Sequence, residues 1–237
     1  MRTAVRHSIL LLLLAVSARE SSADWVNLQD GRREQCIVLE TNASGVQIER
    51  HGGRFTLKPT DIKSIDRQTA ADNDVLRAEY ALAEGMGDPN AFLAAVRTYA
   101  KAHAGGASVE TLCNSLVPML SDLTASGTVV KGPAVDELAE LLVRLSPNVP
   151  QTVPPEFYYD ASLFLSRAGR TAESLDIFMK APAELHAAHP EWRAELSKRV
   201  VADIQSLIAN DDAETAIKRL TLLGQIDPDR GEASRPW

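Results

Sequence analysis

Residues 161–181, ASLFLSRAGRTAESLDIFMKA, decide how the rest of the chain is read. Ala161, Ser162 and Leu165 fall at helical spacing; past a Gly169-Arg170 break, Ser174, Leu175, Phe178 and Ala181 do so again. So few residues separate the two periodic runs that helices over 155–168 and 171–180 must pack as an antiparallel hairpin. The arrangement recurs on both sides. Leu82-Ala83-x-x-Met86 followed by Ala95-Val96-x-x-Tyr99-x-x-Ala102 lies upstream. Leu207 followed by Ala216-Ile217-x-x-Leu220, closing on Asp227-Pro228, lies downstream.

From about Thr69 onward the whole chain keeps this period, rich in Ala and Leu. It predicts further helices over 72–84, 89–103, 109–125, 134–145, 191–210 and 212–223. Asp88-Pro89 and Pro154-Pro155-Glu156 read as helix starts, because proline is tolerated in a first turn. The repeated units resemble tetratricopeptide (TPR) repeats, in which small residues let paired helices approach and an aromatic fills the gap to the next unit. The middle copy matches best, and 109–145 fits only as a generic helical hairpin. An irregular helical domain stays open as the alternative.

Residues 24–67 have a different texture. Trp25-Val26-Asn27-Leu28, Gln35 to Glu40, Val46-Gln47-Ile48-Glu49, Phe55-Thr56-Leu57 and Ile62-Lys63-Ser64-Ile65 read as short strands. Asp30-Gly31, Asn42 to Gly45, His51-Gly52-Gly53 and Pro59-Thr60-Asp61 punctuate them as turns. So small a sheet buries its faces only by curling. The order of strands and Gly turns resembles an SH3-like or Sm-like small barrel. That likeness implies a barrel but brings no RNA site: Thr41 to Gly45 does not match the Sm loop, and no Arg-Gly pair follows the fourth strand. The expected fold class is therefore α+β, mostly α, with a small N-terminal β-barrel followed by a TPR-like α-helical hairpin repeat domain. The expected division is 1–23 a signal peptide, 24–67 the barrel and 68–237 the helical domain.

The signal reading rests on Arg2 and Arg6, the apolar run from Ile9 to Val16, and the small residues Val16-Ser17-Ala18 or Ser21-Ser22-Ala23 at a cleavage site. The run is far shorter than the roughly 20 residues a bilayer-spanning helix needs, so export to a periplasmic or extracellular space is expected in preference to an uncleaved anchor. The net charge is −7. It becomes −9 once Arg2, Arg6, Arg19 and Glu20 leave with the signal. Residues 24–67 are neutral and the remainder holds all of that charge, which disfavours a nucleic-acid partner or an anionic membrane. Cys36 and Cys113, one in each segment, are the only cysteines. A bridge between them and two free, buried thiols are both open.

Two clusters carry chemistry. His186 and His189, flanked by Glu184 and Glu191, could share a metal, although Pro190 biases His189 away from helix and would splay the rings. Phe157, Tyr158 and Tyr159 form the densest aromatic group, and tyrosines exposed on a helical repeat make good anchors for a partner. Three consecutive helical positions cannot all face one way, so one or two of them should be core. Searches for a phosphate-cradling loop, a His-Glu-x-x-His helix and a Gly-x-Ser-x-Gly elbow return nothing, so no catalytic residue and no cofactor is assigned. The reading is a non-enzymatic exported scaffold or adaptor for a protein or peptide partner. Its alternatives are an envelope hydrolase or accessory subunit with a site at the barrel–helix junction, and an Sm-like nucleic-acid binder.

Overall fold

The computed structural model describes residues 23–85, 88–125 and 132–227. The signal reading, Met86 of the first repeat and Pro228 of the last lie outside the described residues. A small antiparallel sheet precedes a larger helical part. Its strands are β1 (Asp24–Leu28), β2 (Arg33–Asn42), β3 (Gly45–Arg50), β4 (Gly53–Leu57) and β5 (Ile62–Asp66), in spatial order β4-β3-β2-β1-β5. The long β2 serves two neighbours. Arg33 to Cys36 pair with β1 and Ile37 to Asn42 with β3, and the register shifts between Val38 and Glu40. Val26, Leu28, Cys36, Val38, Val46 and Ile48 form the sheet's own core. The unbroken apolar run from Cys36 to Leu39 has a simple cause: Ile37 and Leu39 point the other way, onto Leu76 and Tyr80 of the first helix. His51 and Gly52, with φ of 48° and 68°, make the two-residue turn between β3 and β4, a geometry suited to the strand twist.

The helices among the described residues are α1 (Ala70–Glu84), α2 (Pro89–Ala104), α3 (Val109–Ala125), α4 (Pro133–Leu145), α5 (Pro155–Arg167), α6 (Thr171–Met179), α7 (Ala183–Ala188), α8 (Pro190–Ala209) and α9 (Ala213–Ile226). Eight of these fall where the periodicity places them; α7 occupies a stretch to which it assigns no helix. Thr69 and Asp72 form a reciprocal capping box at the start of α1, and Asp88 and Asp212 cap α2 and α9. α1 packs on α2, α5 on α6, and α8 on α9, while α3 lies against α5 and α2 against α4. Gly85 is required where α1 turns into α2, since a Cβ there would collide with the Ala91 methyl. One apolar core runs from α1 through α5, and a second joins α6, α8 and α9. α6 belongs to both, giving Ile177 to the first and Leu175 and Phe178 to the second.

The sheet is tied to the helices by a buried carboxylate. Asp24 is fully buried and accepts hydrogen bonds from the backbone N–H of Val38 at 2.8 Å and of Gln68 at 2.7 Å. Asn73 of α1 exchanges two further bonds with it, one from its side-chain amide and one to its oxygen from the Asp24 N–H. Arg67 closes the group by donating to the Val38 carbonyl at 2.8 Å. A second contact comes from the β3–β4 turn, where His51 packs on Tyr80 with ring centroids 4.8 Å apart.

Candidate partner-binding surface

α5 is enclosed by α3, α4, α6 and α8, so most of its circumference is core. Phe157 and Tyr158, both candidates for partner binding, are the members of the trio that fill the core, so neither offers a surface. Both are buried, Phe157 at 0% and Tyr158 at 1% exposure. Tyr158 Oη donates to the Pro150 carbonyl at 3.0 Å, which satisfies the one polar atom it takes inside. Tyr159, one step further round the helix, is half-buried and meets α8 instead.

There it stacks on Trp192, with centroids 4.8 Å apart and planes 15° from parallel. Trp192 stacks in turn on His189 at 3.8 Å and 7°. The three rings form a continuous half-exposed ladder across the α5–α8 crossing. Pro190 produces this arrangement by ending α7: His189 leaves the helical region, with φ −127° and ψ 62°, and its ring swings onto α8. The rim carries both signs of charge. His189 Nδ1 lies 3.0 Å from Glu191, and Arg199 pairs with Glu195 at 2.8 Å. Burial, then the neighbouring Glu195 and Asp160, hold the Tyr159 hydroxyl above its usual range. Behind the ladder, Asp160 accepts from Thr124 at 2.8 Å and Arg167 donates to the Leu123 and Thr124 carbonyls, fixing α5 to the end of α3.

The other expected cluster is pulled apart. His186 packs on Phe178 at 4.6 Å and is held below the usual histidine range by burial, while His189 faces Trp192. Glu184 is exposed on the short α7. Among the described residues, no group of three or more His, Cys, Asp or Glu is placed to hold a metal. Cys36 and Cys113 are free and sit in separate cores, each thiol pushed up to about 12 by burial. Where the sheet meets the helices, Asp24 accepts from Asn73 and from the Gln68 N–H, and Arg67 donates to the Val38 carbonyl. No helix among the described residues is long and apolar enough to cross a membrane.

Nothing local in the sequence links Trp192 to Tyr159, because that contact joins positions more than 30 apart on two helices. Comparison with protein-family models, with curated proteins and with solved structures finds no match to this chain.

Proposed function

We propose that this chain is a non-enzymatic exported scaffold or adaptor that holds a protein or peptide partner on its helical surface. In this reading the sheet is an SH3-like or Sm-like small barrel and the helices are degenerate TPR-like hairpins. The division of β2 between two neighbours, with its register shift, supports a curled sheet. Helices that pack on neighbours two places along the chain support stacked hairpins.

The observation that carries the binding role is the Tyr159–Trp192–His189 ladder. Aromatic side chains dominate the energetics of protein interfaces, best when ringed by polar groups that exclude water, and this ladder is half-exposed within a rim of Glu191, Glu195 and Arg199. Capture from envelope extract with wild-type and Trp192→Ala bait tests it. A partner retained by the wild type and lost by the variant, with matching far-UV circular dichroism, is the expected result. Equal retention by both baits would mean that the ladder is not the binding surface.

A further inference from the structure

The sheet is open on one side. β4 and β5 are its two edges, and each pairs with only one neighbour among the described residues. Residues opposite one another on paired strands share a face, so Phe55 and Leu57 lie on the core face with Ile48 and Val46, and Ile62 and Ile65 with Leu28 and Val26. The central-strand members of these pairs are at most 5% exposed. The edge members are not: Leu57, Ile62 and Ile65 are only partly buried, and Phe55 is 49% exposed. The apolar interior therefore opens between β4 and β5.

Among the described residues, the backbone beside that opening is unpaired. With Arg50 and Gly53 closing the two-residue turn, alternation of the antiparallel ladder turns the N–H and C=O groups of Arg54 and Thr56 away from β3. The rim is basic. Arg54, Lys58 and Lys63 are exposed, while Asp61 is the one acidic residue from 54 to 63. The ion pairs of the sheet among the described residues engage Arg32, Arg33, Arg50, Arg67 and, from α1, Arg77, and leave those three cations out.

The geometry points to a strand-addition site: an extended, acidic segment of a partner protein adds alongside β4, placing alternate apolar side chains over Phe55 and its carboxylates against Arg54, Lys58 and Lys63. A second copy of this chain is the poorer occupant, because an edge-to-edge pair would set Arg54 and Lys58 against like charges or against Lys63. The site is separate from the aromatic ladder of the helical part and does not depend on it.

Fluorescence anisotropy of the protein with a labelled peptide of about ten alternating Val and Glu residues tests the site. Saturable binding is expected. It should weaken by about tenfold or more when alternate peptide amides are N-methylated, when Lys replaces Glu, and in the Arg54→Glu, Lys58→Glu double variant. Thr56→Pro should act similarly, since its lost N–H points outward and proline is tolerated on an edge. Trp192→Ala should leave peptide binding unchanged, which separates this site from the ladder. Equal affinity for the N-methylated or lysine peptide, or no binding at all, would overturn the proposal. So would a concentration-dependent dimer of the wild type that Thr56→Pro abolishes, because the edge would then be filled by a second copy.

Discussion

Phe157, Tyr158 and Tyr159 are consecutive, yet two fill the core and the third meets α8, and the difference is 100° of helix rotation per residue. Their substitutions should separate accordingly. Phe157→Ala removes a fully buried ring and should cost about 3–5 kcal/mol in urea unfolding. Tyr159→Ala loses one half-exposed stacking contact and should cost about 1 kcal/mol. Similar losses for both would place Tyr159 in the core as well. The sequence could state that the three rings diverge but not which one stays outside, because that depends on where α3, α6 and α8 pack around α5. Trp192 gave no local signal at all. His189 did, through Pro190, which foretold the splayed imidazoles correctly even though it could not say what they would touch.

At the scale of elements, α1, α2 and α3 share a polar chain inside an otherwise apolar contact. Glu79 Oε1 accepts from Ser115 Oγ at 2.6 Å, and that hydroxyl lies 2.9 Å from Tyr99 Oη. Burial raises the Glu79 carboxyl above its ordinary 4.5, against the smaller opposing effect of the Ser115 bond. A raised carboxyl holds its proton longer in the folded state than in the unfolded one. Its contribution to stability is therefore full below pH 4.5 and is lost as pH rises through the folded value. Glu79→Gln should flatten the decline of stability above pH 4.5, measured as urea midpoints across a pH series. An unchanged slope would show that Glu79 does not titrate with folding. Most of the elements themselves were legible: prolines at helix starts, period 3.6 in the helices and alternation in the strands fixed them to within a few residues. α7 was not, since its six residues, held between Pro182 and Pro190, are too few to show a period.

For the whole molecule, the change of composition near Arg67 marked the boundary between sheet and helices but hid how firmly they are joined. Nothing in the sequence sets Asp24 apart; as the first residue of β1 it is the buried acceptor that binds β2, the connection at Gln68 and α1 together. That clamp, with Ile37 and Leu39 on Leu76 and Tyr80, predicts one cooperative transition for both parts. Thermal melts followed in the far-UV, where helices dominate, and by the fluorescence of Trp25 with Trp192 and Trp237 changed to Phe, where it alone reports on the sheet, should coincide for the otherwise wild-type chain. Asp24→Ala leaves buried N–H groups without an acceptor and should lower and separate the two curves. Separate melts in the wild type would mean that the clamp does not couple the parts. The proposed role requires a partner held on the helical surface at the α5–α8 crossing. Hydrogen–deuterium exchange of the chain with and without its captured partner tests this most directly. Protection concentrated over residues 155–167 and 189–199 is the predicted result; protection elsewhere, with this crossing exchanging as before, would contradict it.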